Sequence, residues 1–567
     1  MRNKYSASYS FWGIGTLLPA LILLGIIIQF SVNVPWFDDF DPFPDFLNQW
    51  RKAKNVTEHI QLILKPNNEH RMVFGKIATL LIYWVTGTLN FTYLHLIGFL
   101  FTLGTFGIFF KVFKENNLST KEFAPVAWLL FQWQYQMVFL WAICSLQHQP
   151  VVFFLCLSMY LLTTKQFSWA VLGAFCANFS MSNGIFVWVA GAAVLIYQRA
   201  FFKLFLWLLF GSIAITAYFY GLTSMGNEQS FLYLQEHPEE TFFGFFAFLG
   251  GLFDFFPDRP IDFRTKLPIA GGMVLGILVS TWLWQVSRSW IRQWHANKWK
   301  VQSRDNNNTL TPFLLGILFF LLSNAAVIAL LRPRFGFFVM VVSNYKLYPA
   351  LYLMVIYGAF LGGGSAQWRP TVQKIGLGTS VAIWLLSMVH YGPMMVERRK
   401  DFYVNAFNQQ YNGFGLGHEP NSEAAKYVTN LMQELETANI YTYPSAYQPY
   451  IDQIKSVDST AKCPLAVTVQ LQSSQNRMLV TAPHLPTRGL NDGVLLFLRS
   501  SQKLYVFRMQ QKLYGGRNVL KRYENSVEVT LPFATFLPSV YQMGFMVIEG
   551  SQIKVGIYKS INIKPNS

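Results

Sequence analysis

The residues best suited to chemistry lie in an acidic stretch that follows the first hydrophobic segment. The sequence NVPWFDDFDPFPDFLNQW, Asn33 to Trp50, places Asp38, Asp39, Asp41 and Asp45 among aromatic residues. A carboxylate can remove a proton from a hydroxyl group, and a pair can hold a divalent cation. Aromatic rings offer flat apolar faces and lower the local dielectric constant. The stretch predicts a general base or a cation site, with solvated loop charge as the alternative.

Composition places these acids in a membrane protein. The chain has 567 residues, of which 52% are hydrophobic and 13% charged, and this is too apolar for a soluble enzyme of such length. An apolar segment of about twenty residues follows the basic start, long enough to cross a bilayer. No small-residue cleavage site follows it, so we predict an uncleaved first helix. The four cysteines suggest neither a disulfide framework nor a metal site.

The distribution of basic residues predicts a topology with about eleven crossings. The net charge of +17 comes from short clusters between apolar segments, a pattern that argues against a nucleic-acid surface. The clusters all fall on the cytoplasmic side if Met1 is cytoplasmic. This requires that Met72 to Leu89 does not cross and that Phe167 to Tyr197 crosses twice, with the other apolar segments, Phe123 to Trp141 among them, crossing once each. Polar, turn-forming residues at Ser180 to Gly184 would break the segment that crosses twice into two short helices.

In this orientation the unusual polar motifs all lie on the outer face. They are the acidic stretch, NNEHR (67–71), SLQHQ (145–149), SMSNG (180–184), DFFPDRP (254–260), RPRFG (332–336) and SNYK (343–346). Arg332 and Arg334 run against the cytoplasmic bias of basic residues, so we expect an anionic partner near them. The motifs can therefore share one site.

The chain is predicted to divide into a transmembrane domain, residues 1–395, and an extracytoplasmic accessory domain, residues 396–567. Asn421 to Thr437 has the pattern of a capped amphipathic helix. Beyond Pro464, short segments alternate with a period of two and are separated by Gly, Asn, Pro and Ser, which is typical of an antiparallel β-sandwich. The sequence contains neither a Walker loop nor a dinucleotide fingerprint, which argues against a nucleotide-driven pump.

Four motifs give the chain a resemblance to a known family. PWFDDFDPFPDF, NNEHRMVFGKI, SMSNGIFVWVAG and RPRFGFFVMVVSNYKLYPALYL resemble, in order and spacing, bacterial proteins of the GT-C glycosyltransferase superfamily. The likeness covers roughly Phe11 to Val389. It implies a multi-spanning α-helical membrane fold, a polyprenyl-phosphate sugar donor, and acidic residues in the first outer loop that are essential for transfer. One departure is Asn344, which stands where relatives have arginine in a Ser-Arg-Tyr motif.

The resemblance implies roles for individual residues. Asp38 and Asp39 match the acidic pair and are predicted to be catalytic, with Asp39 favoured as the base and Asp38 as the alternative, or to hold a divalent cation, which is the one candidate cofactor. The residues predicted to bind the donor phosphate are His70, Arg71, Arg332, Arg334 and Lys346. The residues predicted to line the substrate pocket are Asp41, Glu69, Asn183 and Tyr345.

The predicted function is transfer of a sugar from a polyprenyl-phosphate donor to a glycan, lipid or protein acceptor at the outer face of the bacterial inner membrane. A carboxylate would deprotonate the acceptor hydroxyl, and cations would stabilise the departing phosphate. The alternative is a membrane transporter or lipid flippase, in which the outward polar residues line a pathway. A third interpretation is a non-catalytic scaffold that presents the β-domain.

Overall fold

Hydrophobic segments of the chain form long helices, and the alternating segments near its end form a sheet. The computed structural model describes residues 2–67, 70–222, 227–296, 309–363, 366–472, 477–486, 489–516, 518 and 520–563, without the side chains of 2–11, 227–228 and 296. The chain forms two compact units. The first contains Met1–Gln29, Lys52–Leu80 and Tyr93–Tyr391; the second contains Phe30–Arg51, Leu81–Thr92 and Gly392–Ser567. The acidic stretch thus packs with the residues that follow 391.

Most described residues are helical. The helices are α1 (Arg2–Phe30), α2 (Phe46–Lys52), α3 (Val56–Leu64), α4 (Val73–Thr86), α5 (Phe91–Glu115), α6 (Thr120–Leu130), α7 (Gln136–Leu140), α8 (Ala142–Thr163), α9 (Phe167–Asn178), α10 (Phe186–Tyr197), α11 (Phe201–Phe219), α12 (Asn227–Glu236), α13 (Pro238–Leu249), α14 (Ile261–Arg264), α15 (Lys266–Ala296), α16 (Leu310–Leu331), α17 (Leu347–Gly363), α18 (Arg369–Asn412), α19 (Glu423–Thr437) and α20 (Gln448–Ser456). The capped helix predicted from residue 421 is confirmed as α19, because the Ser422 hydroxyl accepts a hydrogen bond from the Ala425 N–H at 3.1 Å.

Eight helical segments in the described part of the chain are long and apolar enough to cross a membrane. They are Trp12–Phe30, Phe91–Glu115, Ala142–Thr163, Phe201–Phe219, Ile261–His295, Leu310–Leu331, Ser343–Gly363 and Arg369–Asn412. A helix satisfies its backbone hydrogen bonds internally, which is what the interior of a bilayer requires. Their number and hydrophobicity identify a membrane-associated protein.

The helix break predicted at SMSNG is present. Helix α9 ends at Asn178, a 3-10 turn covers Ser182–Ile185, and α10 begins at Phe186. Glycine is required in this turn, because a Cβ at Gly184 would lie 1.9 Å from the Ala177 carbonyl oxygen.

The apolar segment from Phe123 to Trp141, which the sequence predicts to cross once, is not one continuous helix. Helix α6 ends at Leu130, and the five-residue α7 begins only at Gln136. The polar run between them contains Tyr135, which is fully buried and donates its hydroxyl to the carbonyls of Leu129 and Leu130. The Tyr135 hydroxyl therefore satisfies two of the carbonyls that the end of α6 leaves without a partner inside the helix.

The described C-terminal strands form one antiparallel sheet instead of the predicted sandwich. The strands are β1 (Thr468–Gln472), β2 (Arg477–Pro483), β3 (Gly493–Arg499), β4 (Leu504–Leu513), β5 (Tyr523–Pro532), β6 (Ser539–Glu549) and β7 (Gln552–Ile563), in the order β1-β2-β5-β4-β3-β6-β7. The first part of β4 pairs with β3 and its last part with β5, with an irregularity between Gln511 and Leu513. Because one bent strand belongs to both halves, the sheet curls without dividing.

The sheet is covered on both faces. Leu496 and Leu498 of β3 belong to one buried cluster, whereas Leu495 and Phe497 belong to another that includes residues of α18 and α20. Ion pairs also join helix α18 to the sheet, because Arg508 of β4 pairs with Asp401 of α18 at 2.6 Å and with Glu397 of the same helix. The end of α18 and the residues that follow it are therefore fixed on the sheet.

Candidate functional site

The two adjacent aspartates of the acidic stretch have different surroundings in the second unit. A 3-10 turn spans Phe37–Asp39, and Asp39 Oδ2 accepts a hydrogen bond from the Trp36 N–H at 2.9 Å. Asp39 is only 1% exposed, whereas Asp38 is half-buried. Asp39 therefore stabilises the turn, whereas the Asp38 side chain keeps part of its surface open to solvent.

The acidic stretch is anchored to the C-terminal part of its unit. Asn33 Oδ1 accepts from the Phe91 N–H at 2.9 Å, and its Nδ2 donates to the Thr442 carbonyl at 3.2 Å. Tyr441 donates its hydroxyl to the Asn33 carbonyl at 2.8 Å. Since one residue joins three segments that are remote in sequence, the entry to the acidic stretch has a defined position.

A glycine-rich loop, GFGLGH at residues 413–418, packs against the acidic stretch. Its three glycines all have positive φ, and Gly417, at +103°, lies so close that a Cβ there would be 2.8 Å from the Phe37 ring. The Phe37 N–H donates to the Leu416 carbonyl at 2.9 Å. Phe37 itself has a φ of 51°, which is rare for a bulky residue and typical of functional sites.

The loop brings His418 to the acids, and this residue was missed by the sequence interpretation. Its imidazole stacks on Phe37, with centroids 6.2 Å apart, and tilts against Phe40 at 5.5 Å. Burial lowers the pKa of His418 below its usual value, and the nearby Asp38 carboxylate offsets part of this effect. The available signal was the alternation of glycines before the histidine, which predicts a loop that approaches other backbone closely.

The remaining acids of the stretch lie on the next turn. Asp41–Asp45 forms a π-helical turn in which Asp41 and Asp45 are both half-buried. Burial, and then a hydrogen bond to Asp45, raises the pKa of Tyr427. No group of three or more His, Cys, Asp or Glu side chains suited to a metal ion occurs among the described residues, so the cation at Asp38 and Asp39 stays a prediction.

The first unit contains the other predicted site residues, except that Glu69 lies outside the described residues. His70 is half-buried. The Arg71 guanidinium donates to three carbonyls, those of Tyr218 (2.7 Å), Leu64 and Tyr220. Burial lowers the pKa of Arg71. The guanidinium donors therefore already join the ends of α3 and α11, so we do not expect Arg71 to bind the donor phosphate.

Lys346 belongs to a buried ion cluster of the first unit. Its ammonium lies 2.6 Å from Asp254 Oδ2 and also contacts the Tyr391 hydroxyl. Arg264 binds the same carboxylate oxygen at 2.6 Å. Burial by itself raises the pKa of Asp254, but the two cations more than offset this and the pKa lies below its usual value. The ammonium of Lys346 already has partners within the protein, so we do not expect Lys346 to bind the donor phosphate.

Asn183 and Tyr345 approach one polar cluster. The Asn183 amide donates to Tyr348 Oη at 2.6 Å and to Asn324 Oδ1 at 3.3 Å, and His148 Nδ1 lies 2.7 Å from the same Tyr348 oxygen. The Tyr345 ring meets His148 edge-on at 5.9 Å. Asn183, His148, Asn324 and Tyr348 are all more than nine-tenths buried. This cluster joins two of the predicted pocket residues.

Arg332 and Arg334 flank one exposed aromatic ring. Their guanidinium groups lie 5.8 and 4.6 Å from the ring centroid of Phe335, which is 52% exposed. Both arginines are half-buried. These two arginines therefore lie beside an exposed ring at the surface of the first unit.

The first unit also contains an apolar cavity of about 770 Å³, lined by residues such as Phe242, Phe246, Ile277, Trp284 and Tyr352. This volume is typical of small-molecule sites. No charged residue lines it, so it suits a hydrocarbon chain. Comparison of the whole chain with protein-family models, curated proteins and solved structures finds no match.

Proposed function

We propose that the protein is an integral-membrane glycosyltransferase of the GT-C type, which transfers a sugar from a polyprenyl-phosphate donor to an acceptor hydroxyl. The observation that carries this proposal is Asp38, a half-buried carboxylate that follows Phe37 in the chain and lies close enough to His418 to affect its pKa, where the His418 imidazole packs on Phe37 and Phe40. A carboxylate with these neighbours can accept a proton from a hydroxyl group, and the rings can support a sugar face.

The reaction follows from these groups. The acceptor oxygen forms a bond to the anomeric carbon while the bond from that carbon to the phosphate oxygen breaks. Asp38 takes the acceptor proton, and polyprenyl phosphate leaves with the electron pair. Arg332 and Arg334 are the proposed partners of the phosphate, because guanidinium groups bind phosphate oxygens in a bidentate fork. The apolar cavity is the proposed site of the prenyl chain.

The proposal keeps the predicted topology in the inner membrane of a bacterium. The eight membrane-length segments, the two short helices α9 and α10, and α6 with α7 would together make about eleven crossings. Helix α4, of 14 residues, is left out of this count because the basic clusters fall on one side only if Met72 to Leu89 does not cross. The N-terminus would be cytoplasmic and the second unit extracytoplasmic.

The direct test is to incubate purified protein with a panel of polyprenyl-phosphate sugars and to measure release of polyprenyl phosphate. Asp38→Asn should lower turnover by about 10²- to 10⁴-fold, with donor binding retained. Asp452→Asn, at an exposed position on α20, is the matched control. If the unaltered protein consumes no donor, or Asp38→Asn retains normal turnover, the proposal is wrong.

Transport remains a second candidate because of the buried ion cluster. Asp254 and Lys346 form an ion pair with side chains 0% and 1% exposed, and buried charges in membrane proteins commonly mark transport pathways. Flux of a labelled lipid across proteoliposomes, without chemical change of that lipid, would favour this function. Release of free polyprenyl phosphate would favour transfer.

A further inference from the structure

Helix α3 has an apolar face that none of the described residues of its unit covers. None of its nine residues is buried. Val56, Ile60 and Leu64 are 73%, 52% and 41% exposed. A spacing of four residues places them on one stripe of the helix, whereas Thr57 and Gln61 lie beside the stripe. A stripe of this kind needs an apolar partner.

The start of α3 is stabilised by hydrogen bonds within the sequence. Asn55 Oδ1 accepts from the Glu58 N–H at 2.9 Å, and the Glu58 carboxylate accepts from the Lys54 N–H and the Asn55 side chain, both at 2.7 Å. These bonds close the first turn and engage both carboxylate oxygens of Glu58. They define the helix, but a helix this short is only marginally stable without packing.

The end of α3 is tied to the end of a membrane-length helix. Lys76 Nζ donates to the carbonyls of Leu62 and Lys65 at 2.9 and 2.6 Å. The Arg71 guanidinium bonds the Leu64 carbonyl and, at the same time, that of Tyr218 in α11. Since α11 ends at Phe219, the Arg71 contact places α3 at the level where a bilayer-spanning helix leaves the hydrocarbon.

Positive charge surrounds the exposed stripe. Lys52 and Lys54 precede the helix and Lys65 follows it, and all three side chains are exposed. The one acid of α3, Glu58, is engaged at the N-terminus. Hydrophobic residues on one face and lysines at both ends are typical of helices that lie in a membrane interface.

We propose that α3 lies in the plane of the membrane surface, with Val56, Ile60 and Leu64 among the acyl chains and the flanking lysines against anionic phospholipid headgroups. The partner is thus an anionic lipid surface. This role is independent of the transfer reaction. It also explains why Arg71 and Lys76 point at carbonyl groups, since their contacts hold the helix at the depth at which its two ends reach the headgroups.

A depth measurement on the full chain tests the orientation. The native Cys144, Cys156, Cys176 and Cys463 are replaced, and Ile60→Cys or Gln61→Cys carries an environment-sensitive fluorophore. The protein is placed in nanodiscs of phosphatidylcholine and phosphatidylglycerol that contain spin-labelled acyl chains. The label at Ile60 should lose most of its fluorescence, and the label at neighbouring Gln61 should lose little. Equal quenching at the two positions, or none at either, would overturn the proposal.

A lipid-binding measurement tests the charges without altering any cysteine. Phosphatidylglycerol bound to the protein is counted by native mass spectrometry for Lys52→Gln, Lys54→Gln and Lys65→Gln. Each exchange should lower this binding about fivefold, since a lysine near an anionic surface contributes roughly 1 kcal/mol. The control variants are Lys426→Gln, Lys554→Gln and Lys559→Gln, at positions that are exposed in the second unit. An equal loss in the control, or no loss in the α3 variants, would count against the proposal.

Discussion

Removing the charge of Asp254 should strongly destabilise the first unit. Asp254→Asn keeps the shape of the side chain but leaves Lys346 and Arg264 without their shared carboxylate. The side chains of Lys346 and Arg264 are 1% and 17% exposed, so water can compensate Arg264 in part and Lys346 hardly at all. The Tyr391 hydroxyl, which lies 3.0 Å from the same oxygen, cannot replace a negative charge.

The size of the loss follows from the burial of the pair. Two unit charges about 4 Å apart attract by about 4 kcal/mol at an effective dielectric constant of about 20. Removal of one partner from a buried pair costs about 3–5 kcal/mol. Both values describe a loss large enough to lower the thermal midpoint clearly. Lys346→Met in the same chain removes the uncompensated charge, and we expect the double variant to recover most of the loss.

Lowering the pH should destabilise the fold, as the Asp254→Asn substitution does. Because the pKa of Asp254 in the folded protein lies below its usual value, the ion cluster stabilises the fold above about pH 4. That stabilisation is lost as the pH falls through the folded-state pKa. Asp254→Asn has no carboxyl group to protonate, so it should lack this part of the acid sensitivity.

The assay is thermal unfolding of the purified protein in detergent, followed by intrinsic fluorescence over a range of pH. Asp258→Asn, an exposed position in the same loop, is the control and should melt like the unaltered protein. If Asp254→Asn also melts at the original temperature, or if adding Lys346→Met lowers the midpoint further, the cluster does not stabilise the fold as argued.

Three further predictions concern the acidic stretch, the helix break and the topology. Gly417→Ala should cost about 1–3 kcal/mol of strain and lower donor consumption, because its Cβ would meet Phe37; Gly378→Ala, which faces open space, should leave consumption unchanged. Gly184→Ala should lower the thermal midpoint, since its Cβ would lie 1.9 Å from a carbonyl oxygen, and an unchanged midpoint would contradict this. A phosphatase that works only outside the cytoplasm should be active when fused after Lys400, and activity of a cytoplasmic reporter there would reverse the topology.

Local patterns predicted the local structure well. Hydrophobic segments predicted membrane-length helices, because the requirement for about twenty apolar residues is a property of a continuous sequence. The break after Asn178 and the cap at Ser422 were also predictable, since each depends on neighbouring residues. Strand segments followed from a period of two, but the choice between a sandwich and a curled sheet did not. That choice depends on the pairing of β2 with β5 and of β3 with β6, because each pair is separated in the sequence by two other strands.

Contacts between distant residues were beyond the reach of the sequence. His418 meets Phe37 and Phe40 across some 380 positions, and no periodicity encodes such a pairing. Lys346 was interpreted as a phosphate ligand because of its charge and its place in a motif, yet its ammonium contacts Asp254. A motif shows which residue types are present, but the fold decides which hydrogen-bond donors of each residue can contact a ligand.

The anchoring of the acidic stretch has a consequence for the order of biosynthesis. Asn33 binds the backbone of Thr442, so the stretch near the start of the chain cannot take its final shape until the ribosome has made about 400 more residues. At about 5–20 residues per second this takes roughly 20–80 s. Throughout that time Asp38 lacks its His418 neighbour, and a chain released early would carry the acids without the groups that arrange them. The arrangement of this site is therefore completed only after residue 442 has been synthesised.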